Sequence, residues 1–156
     1  MKFIDQASIH VKAGDGGHGC IAFLREKFRP KGGPCGGDGG KGGNIILRGN
    51  QNLNTLLDVS LKKHYKAKNG EHGKGKNMHG KNGASIVVDL PLGTIVKNSK
   101  TKQIIIDITA EDEHYIIAHG GNGGFGNARY KTKSTTAPRV ANDGQLGEDI
   151  IIDLEL

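Results

Sequence analysis

The hydrophobic pattern of the chain consists of short runs rich in Ile and Val, separated by long glycine-rich stretches. Such runs, bounded by Gly, Pro, Asn or Asp, are typical of β-strands. Residues 53–68 are ambiguous, and we interpret them as short strand pieces with a turn. Helical periodicity is scarce, so the pattern favours an all-β sandwich or partly closed barrel. The predicted strands are 3–11, 20–24, 44–48, 85–90, 94–97, 103–109, 114–119 and 149–156.

Glycine supplies 26 of the 156 residues, and much of it is spaced by three. Residues 36–44 read GGDGGKGGN, and residues 120–125 read GGNGGF. A three-residue period matches the left-handed polyproline II helix, in which an all-glycine face would let neighbouring backbones approach and pair. We therefore predict ordered polyproline II segments and not flexible linkers, although ordering glycine costs more backbone entropy than ordering any other residue. The predicted structural glycines are Gly36, Gly37, Gly39, Gly40, Gly42, Gly43, Gly120, Gly121, Gly123 and Gly124.

The length fits a single domain over residues 1–156, and its net charge of +6 is unevenly distributed. Residues 25–83 carry a net charge of +9 and residues 119–140 carry +4, whereas residues 141–156 carry −5. This segregation predicts one strongly positive region that suits a polyanion such as nucleic acid. The alternative is that the lysines only keep the loops soluble.

Three stretches combine glycine or small residues with positive charge, and each contains an aromatic residue: Phe28, Tyr65 or Tyr130. Lys and Arg neutralise phosphates without sequence preference, and aromatic rings stack on unpaired bases. The aromatic residues fit a core or loop-anchoring role better, so the lysine-rich tips carry the RNA-binding hypothesis. The three stretches are 25–41, 62–81 and 126–139.

Motifs of nucleotide-binding enzymes occur in the chain without the context that they need. The G-x-G-x-x-G pattern appears three times, but no predicted helix follows to hold a pyrophosphate. Residues 75–82 read GKNMHGKN and place Asn82 where a phosphate loop requires the Mg²⁺-binding Ser or Thr. No hydrolase triad is marked by its sequence context, and we predict no catalytic residue in this chain.

The two cysteines and seven histidines show no paired spacing of the kind that structural zinc sites use. We therefore predict no metal site, and we expect His18, His72 and His79 to be solvent-facing or to make polar contacts. The first residues lack the apolar segment of a signal peptide, and no apolar run is long enough for a membrane span. Free thiols at Cys20 and Cys35 in a reducing, cytoplasmic setting are the simplest expectation.

Long segments of the chain resemble the glycine-rich domain of the Obg family of GTPases. The resemblance covers essentially the whole chain, from FIDQASIHVKAGDGGHGCIAFLREKFRPKGGPCGGDGGKGGNIIL through NLNTLLD, KNGEHGKGKNMHGKNG and PLGTIV to GGNGGFGNARY and APR. It implies an Obg fold, in which a β-barrel or sandwich base carries a bundle of glycine-rich left-handed helices. The chain departs from the family at Cys35, where Asp is more frequent, and in the looser stretch 140–149.

The resemblance also implies a function. Obg-type GTPases act in late assembly of the large (50S) ribosomal subunit and in stress and cell-cycle control, and the glycine-rich domain docks at the peptidyl transferase region. GTP and Mg²⁺ would bind a downstream GTPase domain that this chain lacks, so the expected partners are the large subunit and its 23S-type rRNA. A protein-docking module for a stress-signalling partner is the alternative. By motif, the candidate rRNA contacts are Lys27, Arg29, Lys31, Lys74, Lys76, Lys81, Arg129, Lys131 and Lys133.

Overall fold

The computed structural model describes residues 4–24, 32–132 and 134–156, and its regular elements are almost all strands. One short helix, α1 (Leu57–Leu61), and one 3₁₀ turn (Asn127–Tyr130) interrupt them. The strands are β1 (Gln6–Lys12), β2 (Ile45–Gly49), β3 (His64–Lys66), β4 (Ile86–Leu90), β5 (Thr94–Asn98), β6 (Ile104–Ile108), β7 (His114–Ala118) and β8 (Asp149–Glu155).

Two sheets enclose one hydrophobic core. A five-stranded sheet has the order β3-β1-β8-β5-β6, and a three-stranded sheet has the order β4-β2-β7. Alternate residues of each strand point between the sheets, as the period of two requires. Ile9, Leu47, Ile108 and Leu154 from four different strands are at most 1% exposed and belong to a single cluster. The predicted all-β class is confirmed, with a base that is a sandwich of two mixed sheets and not a closed barrel.

The predicted strands correspond to observed strands in all but two places. Residues 20–24 form only an isolated bridge, Phe23 to Pro34, and no full strand. Within 53–68 the prediction of strand pieces is right for β3 but wrong for α1, which is a helix. Helix α1 is only one turn long, too short for an apolar repeat to mark it, and its Val59 is held by packing into the core.

Six strands of the sandwich continue beyond the sheets as extended, glycine-rich tracts. Tracts 1, 3 and 5 follow β1, β3 and β7, whereas tracts 2, 4 and 6 precede β2, β4 and β8. They are tract 1 (14–20), tract 2 (36–44), tract 3 (67–74), tract 4 (78–85), tract 5 (119–126) and tract 6 (142–148).

The order of the tracts repeats the order of the strands that carry them. One layer holds tracts 3-1-6 and the other holds tracts 4-2-5, matching β3-β1-β8 and β4-β2-β7. Backbone hydrogen bonds also join the layers, for example from Gly17 N–H to the Gly40 carbonyl at 2.8 Å and from Gly43 N–H to the Lys68 carbonyl at 2.9 Å. Two sheets that pack through side chains lie about 10 Å apart. In the bundle the two layers of tracts lie closer than this, so that their backbones contact each other directly.

Glycine is what allows this contact. A Cβ built on Gly39 would lie 1.9 Å from the Gly17 carbonyl oxygen, a distance that is too short for any real side-chain atom. Successive interlayer bonds recur every three residues along a tract, as from Gly14 and Gly17 to Gly43 and Gly40. Close backbone pairing of the glycine tracts is thus observed, while their polyproline II dihedral angles stay a prediction. No helix within the described ranges is long and apolar enough to cross a lipid bilayer.

Candidate nucleic-acid interface

The connections between outgoing and returning tracts meet at the end of the bundle that lies away from the sheets. This end, called the tip, comprises residues 21–24, 32–35, 75–77, 127–132 and 134–141, together with Lys74, the last residue of tract 3. The Asn77 N–H donates to the Cys35 carbonyl at 2.7 Å, and the Asn127 N–H donates to the Cys20 carbonyl at 2.9 Å. Residues that are far apart in sequence are therefore fixed to one another at the tip.

Asn127 is the main structural residue of the tip and was not among the residues predicted from the sequence. Its side chain is fully buried, yet every polar atom is satisfied. The side-chain oxygen accepts the Gly36 N–H at 2.8 Å, and the side-chain nitrogen donates to the carbonyls of Ala22 and Pro138 at 3.0 and 3.1 Å. One amide thus ties together two connections and tract 2. The signal in the sequence is an Asn directly after the glycine tract 120–126, but only the structure shows that its side chain is buried.

The structure brings some of the nine candidate cations to the tip and leaves others elsewhere. Lys74, Lys76 and Lys131 are exposed at the tip, and Lys81 is exposed on tract 4, one three-residue repeat below Met78. A Cβ built on Gly33 would lie 3.5 Å from the Lys131 ammonium, so this side chain reaches towards the first connection. Lys27, Arg29, Lys31 and Lys133 lie outside the described residues.

Lys76 projects from a strained turn. Residues 75–78 form a tight turn in which the Met78 N–H donates to the Gly75 carbonyl at 3.3 Å. Lys76 and Asn77 both have positive φ, 59° and 56°, a conformation that is common for Asn but unfavourable for Lys. This backbone conformation costs the lysine energy, as it does Lys102, which has a φ of 61° in the connection between β5 and β6.

Arg129 is engaged within the bundle and is not a free cation. Its guanidinium contacts the Asp38 carboxylate at 2.6 and 2.7 Å and lies 4.7 Å from the centre of the half-exposed Phe125 ring. The Gly126 N–H also donates to Asp38, at 2.9 Å. Burial raises the pKa of the Asp38 carboxyl, but these hydrogen bonds outweigh burial, so the pKa lies below its ordinary value of 3.8.

A pH-dependent contribution to stability follows from this pair. Because the pKa of Asp38 is lower in the folded state, its stabilisation is complete above about pH 5 and is lost as the pH falls through the folded-state pKa. We expect an Asp38→Asn variant, which keeps an acceptor for Gly126 but loses the ion pair, to be less stable than wild type at pH 7. The difference should narrow between about pH 5 and pH 2. Urea unfolding of both proteins at several pH values measures it, and a difference that does not change with pH would contradict the assignment.

Side chains at the non-glycine positions close the bundle with a second set of hydrogen bonds. In the 3-1-6 layer, Asn69 and His72 accept the N–H groups of Asp15 and His18 at 2.9 Å. In the 4-2-5 layer, His79 and Asn82 likewise accept those of Asp38 and Lys41 at 2.9 Å. The histidines accept through Nδ1, so a histidine and an asparagine are interchangeable in this role. The expected polar contacts of His18, His72 and His79 are confirmed, and His18 also stacks on His72 at 4.7 Å.

This equivalence can be tested at His72. We expect His72→Ala to lower the free energy of unfolding by about 1 kcal/mol, because the His18 N–H loses its acceptor. His72→Asn should stay within about 0.5 kcal/mol of wild type, since Asn69 already accepts the Asp15 N–H in the same way, three residues earlier on the tract. Chemical denaturation combined with hydrogen exchange at the His18 amide distinguishes the two variants. Equal destabilisation by both would show that ring stacking, and not the acceptor, matters at this position.

The structure confirms the core and loop-anchoring roles that the sequence favoured for Tyr65 and Tyr130, and it places part of stretch 62–81 in the sandwich. Tyr65 is only 9% exposed and belongs to the hydrophobic core, so its ring cannot stack on a base. The basic run 62–66 lies in the sandwich, at the end of α1 and in β3, so only residues 67–81 of this stretch belong to the bundle. Tyr130 anchors a loop through a hydrogen bond from its hydroxyl to Asn142, and Phe28 lies outside the described residues.

The enzyme-like motifs are absorbed by the bundle. A phosphate cradle needs free N–H groups, but those of Gly37, Gly39 and Gly42 donate to carbonyls of tracts 3 and 5 at 2.9 Å. The sequence GKNMHGKN forms the turn at 75–78 and continues into tract 4, not into a helix. Among the described residues no cluster of three or more His, Cys, Asp or Glu side chains could hold a metal ion. Both cysteines are free thiols. The motif at residues 37–42 therefore has no free N–H groups to cradle the phosphates of a nucleotide.

Comparison with known proteins agrees with this architecture. The model of the GTP1/OBG family matches residues 4–156. The chain is 54% identical over 155 residues to the GTPase Obg of Aquifex aeolicus, which covers 99% of this chain and 45% of the relative. It is 51% identical over 156 residues to the GTPase Obg of Persephonella marina, covering 100% of this chain and 46% of the relative. The chain thus spans about half the length of the curated relatives that it matches.

Proposed function

The chain belongs to the GTP1/OBG family, and from that membership we propose that it is the RNA-binding module of an Obg-type GTPase acting in large-subunit ribosome assembly. The observation that carries the proposal is the convergence of the basic connections at one tip. Lys74, Lys76 and Lys131 are exposed there, and none pairs with a carboxylate of the described residues. The tip is fixed to a rigid, backbone-paired bundle.

This arrangement suits rRNA for two physical reasons. Phosphates are bound by Lys and Arg through charge alone, and each contact releases counterions into solution. The bundle is narrow because glycine replaces side chains between its tracts, so the tip can enter a cleft that a side-chain-packed domain could not. A rigid support also lowers the entropy cost of binding. We infer that the peptidyl transferase region is the cleft entered.

The remaining elements of the proposal concern the whole protein. GTP and Mg²⁺ bind outside this chain, in the portion of its relatives' length that the chain does not cover. The nucleotide state there controls when the tip binds, and stress and growth control follow from this timing. The site of action is cytoplasmic, where ribosomes assemble. The chain itself supplies binding and positioning, without catalysis.

Co-sedimentation of the chain with purified ribosomal subunits tests the proposal. We expect binding to the large subunit but not to the small one, with an affinity that falls steeply between about 50 and 200 mM salt. Chemical footprinting of the rRNA should then show protection in the peptidyl transferase region. No binding to the large subunit at low salt would reject the proposal. It would favour a protein-docking module for a signalling partner instead.

A further inference from the structure

The side-chain hydrogen bonds of the 4-2-5 layer follow a strict rule. Every third side chain along a tract accepts a backbone N–H of the next tract across. Tract 4 accepts N–H groups of tract 2 at three successive positions, each at 2.9 Å, through the side chains of His79, Asn82 and Ser85. Tract 2 accepts N–H groups of tract 5 in the same way. Asp38 accepts the Gly126 N–H at 2.9 Å, and Asn44 accepts the Gly120 N–H at 2.7 Å.

Lys41 breaks this rule at the position between Asp38 and Asn44. The two tracts run antiparallel, so a step of three residues from each neighbouring pair places Lys41 opposite Gly123. A lysine has only donors and cannot accept the Gly123 N–H. Within the described ranges no other acceptor takes that proton. The break is confined to this position, since Gly39 and Gly42 still donate to the carbonyls of Gly124 and Gly121 at 2.9 Å.

The result is a position that holds donors without an acceptor. Two residues that face each other on neighbouring tracts form what we call a rung. In the rung of Lys41 and Gly123, the Gly123 N–H is half-buried and the Lys41 ammonium is exposed. Lys41 makes no ion pair with any described carboxylate. The nearest acidic residue along tract 2, Asp38, is already occupied by Arg129 and Gly126. A backbone N–H beside a cation is the combination that binds a phosphate oxygen. The net charge of +9 over residues 25–83 favours an anion there.

We propose that Lys41 and the Gly123 N–H form an anion site on the side of the bundle, between the tip and the sheets. This site, called the shank site, binds one phosphate of an RNA backbone. The inference rests on the proposed RNA binding and extends that interface from the tip towards the sheets. The Lys41 ammonium supplies charge, and the Gly123 N–H supplies a fixed hydrogen bond. Free inorganic phosphate has the same chemistry and serves as a second probe.

The test uses backbone amide signals of the wild-type chain and three variants. Inorganic phosphate, at constant ionic strength set with chloride, should shift the Gly123 amide of wild type and of Lys41→Arg. Lys41→Asn should lose this shift and give the Gly123 amide at least about tenfold slower hydrogen exchange, because an Asn acceptor closes the rung as Asn44 does for Gly120. Lys41→Ala should lose the shift without gaining protection.

Binding of a short single-stranded RNA distinguishes the sources of the phosphate. Lys41→Asn should weaken RNA binding about five- to tenfold and reduce the salt slope by about 0.7, the value of one phosphate contact. RNA that shifts tip amides but not Gly123 would overturn the shank site and leave the proposed function standing. Phosphate that shifts Gly123 while RNA binds nowhere would keep the anion site and reject RNA as its ligand. An unaltered Gly123 amide with both probes would reject the site outright.

Discussion

Replacing Gly39 by alanine is expected to destabilise the protein by about 3–5 kcal/mol. The new Cβ would lie 1.9 Å from the Gly17 carbonyl oxygen, and that atom is backbone, which cannot swing away as a side chain can. Overpacking where side chains can adjust costs about 1–3 kcal/mol. Here tract 2 must move away from tract 1, so the bonds from Gly39 to Gly124 and from Gly17 to Gly40 would also weaken, at about 1 kcal/mol each.

Two further glycines provide matched controls for this effect. At Gly75 an added Cβ would meet only the Ala22 Cβ at 3.5 Å, an ordinary contact, so Gly75→Ala should change stability by less than about 0.5 kcal/mol. Gly93 has open space but a φ of +88°, so Gly93→Ala measures backbone strain alone, about 1–2 kcal/mol. Urea unfolding of the three variants orders them. If Gly39→Ala ranked with Gly75→Ala, the tracts could not be paired as closely as the structure places them.

Removing three lysines from the turn and its flanking tracts should abolish most RNA binding while leaving the fold intact. Lys74, Lys76 and Lys81 are exposed and make no ion pair among the described residues. Changing all three to alanine should weaken binding to the large subunit by at least about 100-fold at 0.1 M salt. The slope of log K against log salt should fall by about 2–3, because each phosphate contact contributes about 0.7–0.9.

The control for this variant removes the same charge from the sandwich. Lys62, Lys63 and Lys100 are also exposed but belong to α1–β3 and to the β5–β6 connection. Their triple alanine variant should bind within about threefold of wild type and retain most of its salt slope. Thermal melting of both variants checks the fold. Equal loss of binding in the two variants would mean that only net charge matters, and the tip would lose its special role.

A substitution at Lys76 can separate the effect of this residue on stability from its effect on binding. A glycine there would relieve the positive φ, whereas the charge would be lost. We therefore expect Lys76→Gly to gain stability and to lose RNA affinity. Such opposition is expected where a binding function, and not the fold, selects the side chain.

Much of the architecture could be predicted from local patterns in the sequence. The runs of Ile and Val mark six of the eight predicted strands closely and a seventh, β1, with a shifted start, because a period of two with turn residues at each end has few alternative structures. The three-residue glycine spacing predicted that backbones would pair closely. The same runs of Ile and Val predicted the all-β class, and the long motifs that resemble the Obg family predicted the family. Helix α1 was missed because a single turn leaves no repeat to detect.

The candidate site was predictable by region but not by residue. Charge segregation pointed to the tip, and Lys74, Lys76 and Lys131 are found there. Arg129 carries the same formal charge but is neutralised by Asp38, 91 residues away in sequence. Nothing near either residue indicates this pairing, which depends on how tract 5 lies beside tract 2.

The sequence by itself determined which segments are strands, which are glycine tracts, and where positive charge accumulates. These are local properties, written in the spacing of neighbouring residues. The partners of each tract were decided only by the tertiary structure. Each tract continues a strand, so the strand orders β3-β1-β8 and β4-β2-β7 determine which tracts lie side by side. A glycine face can pair with any other glycine face. Selection among them therefore comes from the side-chain core of the sandwich, where shape and burial make one arrangement more stable than the rest.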